Sequence, residues 1–212
     1  HNRCRRQRQM CIRDRSRDDI NLIFMKTHTK ETQSSITPSR AIELLKEGNT
    51  RFIENKKTER DLLDQVRETS TGQYPFATIL SCIDSRVSSE LIFDQGIGDV
   101  FSARVAGNFV NEDILGSMEF ACKLAGTKVV VVLGHTACGA IKGACDDAKL
   151  GNLTALISKI KPAVKAVKFP EEANLRNSKN IHFVNDVSEK NVHLTIENIR
   201  SQSSVLNEME EK

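Results

Sequence analysis

The 212 residues, 39% of them hydrophobic, suffice for one α/β domain with a packed core and do not require a second domain. The formal charge of +3 is unevenly placed, because Arg3, Arg5, Arg6, Arg8, Arg13, Arg15 and Arg17 against Asp14, Asp18 and Asp19 put +4 ahead of Met25 and leave −1 for the rest. That balance, with one tyrosine and no tryptophan, argues against nucleic acid, which needs a basic face and stacking aromatics. It also lacks a membrane signature: no apolar run approaches the roughly 18 residues of a span, and the longest, Val129–Leu133, reads as a strand.

Residues 1–24 are Arg-rich and lack helical or strand periodicity, so they read as a non-native or disordered leader. The run R-Q-R-Q-M-C-I-R-D-R at 6–15 resembles translated sequencing-adapter read-through, which would make Met25 the true start. An Arg-rich targeting peptide is the competing reading, and Asp14, Asp18 and Asp19 fit it poorly. Residues 25–36 are expected to be a linker, and 37–212 a single domain.

At Thr37 the pattern sharpens. Thr37 can cap, Pro38 suits a first helical turn, and Ala41, Leu44, Leu45, Phe52 and Ile53 form an apolar stripe, so an amphipathic helix opens the domain. A charged helical stretch at 61–69 follows, and Gly72-Gln73-Tyr74-Pro75 breaks it before strand one at 76–80. Ser88 and Ser89 open a short helix with Leu91, Ile92 and Phe93, and Gly96 and Gly98 lead into strand two at 100–105. Asp113 is expected to cap a helix burying Ile114, Leu115, Met118, Ala121, Cys122 and Ala125, ended by Gly126 before strand three at 128–133. This βαβ alternation predicts an α/β fold, a central mainly parallel sheet flanked by helices.

Beyond His135 the chain reads as helical. Asn152 is expected to cap Leu153, Leu156, Ile157 and Ile160, and a long stripe runs through Val184, Val187, Val192, Ile196 and Ile199. Three strands fall below the usual four to six, so the C-terminus reads as incomplete.

Six cysteines are too few and too irregularly spaced for a disulfide scaffold, which points to a reducing compartment and a cytoplasmic location, or an organellar one if the leader is a targeting peptide. Cys82 and Cys138 stand apart from the others because each follows a predicted strand. Strand one delivers Ser81-Cys82-Ile83-Asp84-Ser85-Arg86 and strand three delivers Gly134-His135-Thr136-Ala137-Cys138-Gly139. In a parallel sheet those C-terminal ends share one edge, with neighbouring strands about 5 Å apart, so two thiolates and an imidazole can converge on one metal. That donor set suits zinc, and three protein ligands leave a fourth position for water. Cys138 also begins a helical segment, whose free amides should favour its thiolate. A lone His-x-x-Cys is a weak signal, and a Cys–His pair could equally be core residues or a nucleophile and its base. Asp84 and Arg86, two residues apart beside a ligand, can pair with each other, which favours a functional cluster.

The segments S-C-I-D-S-R and G-H-T-A-C-G-A, with R-V-A-G-N at 104–108 and the spacing between them, resemble the paired signatures of the β-carbonic anhydrases, over residues 38–209. The resemblance implies one zinc held by Cys82, His135 and Cys138, with Asp84 accepting a hydrogen bond from zinc-bound water and Arg86 holding Asp84. In family members of the closed kind the equivalent aspartate instead binds zinc at lower pH. It further implies that Gln73 reaches across a subunit interface toward carbon dioxide or bicarbonate, that Phe101 and Phe120 wall the pocket, and that the helix after Pro38 is an N-terminal arm packing on a second subunit of a homodimer or larger homo-oligomer. Gln73, Phe101 and Phe120 each have an ordinary reading: a turn residue for the first and core aromatics for the other two.

The implied activity is reversible hydration of carbon dioxide to bicarbonate and a proton, by attack of zinc-bound hydroxide. Two thiolates temper the metal's acidity, so activity is expected to rise toward alkaline pH. Rival readings are a carbonyl sulfide or carbon disulfide hydrolase on the same ligands, and a zinc-binding scaffold without catalysis. A redox dithiol is disfavoured because Cys82 and Cys138 lack Cys-x-x-Cys spacing. Members of the family usually continue into a further parallel strand beside strand three, so that strand is expected to be an exposed edge.

Overall fold

The computed structural model describes residues 26–211, and the expected leader at 1–24 lies outside them. Within the stretch expected as a linker, Thr29 opens helix α1 (Lys30–Ser35) through a reciprocal capping box with Thr32. Gln33, 5% exposed, ties α1 to the domain: its Nε2 donates to the carbonyls of Pro75 and Ala125. Thr37 then caps α2 (Pro38–Ile53) by accepting from the Arg40 N–H, as its place before Pro38 predicts. Asp61 caps α3 (Leu62–Glu68) in the same way.

Three strands form one sheet among the described residues: β1 (Ala77–Ser81), β2 (Val100–Arg104) and β3 (Val129–Leu133), ordered β2-β1-β3, both pairings parallel. The register aligns Ser81 with Arg104 on one side and with Leu133 on the other. All three strands therefore end level, and the segments that follow emerge on one rim. Helix α4 (Ser89–Ile92) makes the crossover from β1 to β2, and α5 (Glu112–Glu119) the one from β2 to β3.

Two expected caps are corrected. Asn111, not Asp113, caps α5: its Oδ1 accepts from the Ile114 N–H at 3.0 Å, while Asp113 sits in the first turn, where its charge faces the positive end of the helix. The helix continues as a π-helical turn over Phe120–Leu124 and the chain reverses at Gly126, with φ +83. Asn152 lies inside the first turn of α7 (Gly151–Ala166), because the chain turns earlier, at Gly151 (φ +42). The Leu150 N–H goes to the Thr154 hydroxyl.

Side-chain alternation sorts the sheet into two faces. Ala77, Ile79, Val129, Val131 and Leu133 meet Ala41 and Leu45 of α2. Leu80, Val130 and Val132 meet Leu115 and Met118 of α5, Ile199 of α8 (Ile181–Gln202) and Leu206 of α9 (Ser204–Glu210). The central strand β1 is buried throughout, and β3 stands at the sheet edge, only partly buried. Helix α2, likened to an arm that packs on a second subunit, covers its own sheet through Ala41 and Leu45 and leaves Ile42 and Ile53 exposed. A third cluster joins α6 (Gly139–Cys145), α7 and α8 at the rim, around Cys82 and Cys138. No helix of the described residues is long and apolar enough to cross a membrane.

Candidate metal centre

Cys82 is the first residue past β1, His135 the second past β3, and Cys138 the residue that precedes α6. Level strand ends bring them together: ligand atoms of Cys82, His135 and Cys138 all lie within 4.8 Å of one another, the one such group among the described residues. The two sulfurs are 3.8 Å apart. Sulfurs bound to zinc at about 2.3 Å in tetrahedral geometry stand about 3.8 Å apart, so the spacing already matches a shared metal. The Thr136 carbonyl, 3.0 Å from His135 Nδ1, can only accept, so that nitrogen carries the hydrogen and Nε2 keeps its lone pair. Nε2 is buried without a hydrogen-bond partner among the described residues. A buried, unpartnered imidazole nitrogen beside two thiols fits a cation.

The thiols titrate as a pair. The hydrogen bond with Cys138 pulls the Cys82 thiol well below its ordinary value against the effect of burial, helped by the Gly107 N–H at 3.4 Å. The same bond, with burial, pushes Cys138 up. The amides of Ile141 and Ala140 do favour the Cys138 thiolate, as its helix-start position predicts, but the hydrogen bond with Cys82 and burial outweigh them. A dication held between them would displace the proton that the two thiols share and pair with both sulfurs as thiolates.

Asp84 and Arg86 form the pair their spacing suggests. Arg86 donates through Nε to Oδ1 (2.9 Å), through Nη2 to Oδ2 (2.8 Å) and through its backbone N–H to Oδ1 (3.0 Å). The guanidinium, then the backbone N–H, holds the Asp84 carboxyl far below the usual carboxylate range. Asp84 Oδ2 lies 3.9 Å from His135 Nε2, so an ionised carboxylate borders the ligand set.

The other three expected residues lie elsewhere in this chain. Gln73 is exposed in the loop before β1, at the opposite end of that strand from Cys82. Phe101 pairs in register with Thr78, toward the start of the sheet, and meets Phe120 edge-on with ring centroids 6.3 Å apart. Both line a groove with Ser102, Ile114 and Ser117 along the β2 edge.

Several residues that touch the site carry no ligand signal in the sequence. Arg104, part of R-V-A-G-N, donates to the carbonyls of Cys82 (3.0 Å) and Asp84 (2.7 Å) and so braces the loop between them. Gly107 adopts φ +80, and a Cβ there would lie 2.4 Å from Ile160 Cδ1; its lack of a side chain lets its N–H reach Cys82. Asn185 and Ser188 of α8 bond to the loop that carries His135 and Cys138, and Asn191 bonds to Gly107. The apolar stripe of that helix hides them, and their signal is a polar row at helical spacing beside Val184 and Val187.

Fold and site together define a parallel α/β protein with a metal-capable Cys-His-Cys group at the carboxyl rim of its sheet. The carbonic anhydrase family model matches residues 77–212. Carbonic anhydrase 2 of Mycobacterium tuberculosis is 33% identical over 177 residues, 81% of each chain. Among solved structures, the β-carbonic anhydrase CafA of Aspergillus fumigatus superposes with a TM-score of 0.57 at 26% identity, over 79% of this chain and 76% of that one. A tetrameric β-carbonic anhydrase of Sordaria macrospora shares the fold at 24% identity and a TM-score of 0.57, over 67% of this chain and 72% of its own. The chain belongs to the β-carbonic anhydrases.

Proposed function

We propose that the chain catalyses zinc-dependent, reversible hydration of carbon dioxide to bicarbonate and a proton. The carrying observation is the pair of sulfurs 3.8 Å apart, facing a buried His135 Nε2 that has no other partner among the described residues. Family membership supports the reaction, and a relative sharing 81% of its length carries the name carbonic anhydrase. Zinc, held by Cys82, His135 and Cys138, would supply the Lewis acidity that makes hydroxide available far below the ordinary pKa of water.

The chain's own groups do the rest. Asp84 offers an ionised acceptor that takes the nucleophile's remaining proton into a hydrogen bond and so aims its lone pair. Arg86 keeps that carboxylate charged and bound through both oxygens, which supports its service as acceptor rather than as a metal ligand. Thr136 fixes the His135 tautomer, and Arg104 holds the Cys82 and Asp84 carbonyls. Gln73, at the far end of β1, acts from a second subunit toward the substrate, and Phe101 and Phe120 form its apolar wall. A homo-oligomer follows from this reading, and the exposed Leu62, Leu91 and Ile97, which line one groove, supply apolar surface for the contact.

Stopped-flow carbon dioxide hydration on the whole chain, with zinc measured in the same sample, tests the proposal. One zinc per chain and a rate rising toward alkaline pH are expected, and Cys82→Ser or His135→Ala should lose both metal and turnover. Bound zinc with no hydration at alkaline pH would sink the proposal. Parallel assays with carbonyl sulfide and carbon disulfide complete the test, and faster turnover of either would assign a hydrolase instead.

A further inference from the structure

Helix α8 contributes no metal-capable residue, yet two of its polar side chains bond to the loop that carries His135 and Cys138, and a third bonds to Gly107, whose N–H meets Cys82. Asn185 Oδ1 accepts from the Ala137 N–H at 3.0 Å, Ser188 Oγ donates to the His135 carbonyl at 2.8 Å, and Asn191 Nδ2 donates to the Gly107 carbonyl at 2.8 Å. His135 is itself a ligand. Ala137 precedes Cys138 and is held at φ +54, a strained conformation for a non-glycine residue that persists only where its surroundings impose it. Gly107 presents its N–H to Cys82 Sγ.

The three residues are spaced three apart, so they climb one side of the helix on successive turns. Ser188 and Asn191 are 5% and 3% exposed and share the helix with the fully buried Val184 and Val187. Buried polar groups weaken a core unless they are paired; Ser188 is paired with His135 itself, and Asn191 with Gly107, whose N–H meets Cys82. The packing is close enough to transmit position: a Cβ on Gly134, the residue before His135, would lie 2.6 Å from Val192 Cγ2 of α8.

We propose that Asn185, Ser188 and Asn191 are positioning residues, a polar row through which α8 sets the geometry and affinity of the metal centre. The inference rests on the zinc reading above. Outer partners of this kind typically contribute about 10–100-fold in metal affinity when removed.

The test is zinc affinity by chelator competition, together with the visible spectrum of the cobalt(II)-substituted protein, on the whole chain in variants shown to be folded by circular dichroism. Ser188→Ala and Asn185→Ala should each weaken zinc by about 10-fold or more and shift the cobalt bands. Asn185→Asp, which retains an acceptor for the Ala137 N–H, should restore both. Thr195→Ala is the control: Thr195 is equally buried on α8, and no bond from it to a ligand loop occurs among the described residues. Should Ser188→Ala not fold, the partly exposed Asn185 position still decides the question. Affinity within twofold of the parent and an unshifted cobalt spectrum, even with a lowered unfolding midpoint, would show that α8 only packs against the loops and overturn the inference. A parent chain that binds no zinc would overturn the metal reading itself, and this inference with it.

Discussion

Asp84 with Arg86, and Asp94 with Arg51 and Arg60, are built from the same groups and differ in where the charge sits. Asp94 is 3% exposed and Arg60 7%. Arg51 Nε donates to Asp94 Oδ2 at 2.6 Å, Arg60 Nη1 to Oδ1 at 2.8 Å and the Thr58 hydroxyl to Oδ2 at 2.8 Å. Burial alone would raise that carboxyl, but Arg51, Arg60 and Thr58 together hold it at about 2. The cluster ties the end of α2 and the segment before α3 to the turn after α4. Arg86, by contrast, is 68% exposed, and its partner carboxylate borders the metal-capable group at His135. A saturated, buried cluster can only hold the chain together, whereas the pair at the rim holds an oriented charge beside the Cys-His-Cys group.

Exchanging amide for carboxylate separates the two roles, and the largest effect belongs to the buried cluster. Asp94→Asn strands buried arginine charge and should cost about 3–5 kcal/mol in urea unfolding, with turnover per folded molecule unchanged. Next, Asp84→Asn should leave the urea midpoint and the zinc content as they are while lowering carbon dioxide hydration by about 100-fold. Full turnover at every pH in that variant would remove Asp84 from the mechanism. Arg86→Ala should cost less turnover than Asp84→Asn, and because it frees the carboxyl toward its ordinary range, the acid-side decline of the rate should move to higher pH.

The smallest effect is a pH dependence of stability. The folded Asp94 carboxyl lies at about 2, below an unfolded value of about 3.9, so its contribution is complete above that unfolded value and is lost as pH falls toward 2. The urea midpoint should therefore drop between pH 5 and pH 3 in the parent, and by less in Asp94→Asn. Equal drops in both would place the acid sensitivity elsewhere.

Much of the site was legible because its parts are local. Cys82, His135 and Cys138 lie within a few residues of strand ends that alternation reveals, and the Asp84–Arg86 pair spans two residues. The Thr37 cap before Pro38 is local in the same sense. Expectation and structure parted where two local solutions competed, as with Asn111 over Asp113 at the start of α5, and where a neighbour reversed a local effect, as when the hydrogen bond with Cys82 and burial outweigh the α6 amides at Cys138. Arg104 stood inside a quoted motif without a role, because its acceptors are backbone carbonyls 20 and 22 residues away.

By itself the sequence determined the parallel α/β order, the three metal-capable residues and the paired carboxylate, since periodicity and short spacings encode all of them. Only the tertiary structure decided which side chains brace that group and which arginines bury Asp94. Those contacts join residues such as Arg60 and Asp94, 34 apart, or Ser188 and His135, 53 apart. Hydrogen bonds of that kind depend on how helices dock on the sheet, which no local pattern specifies.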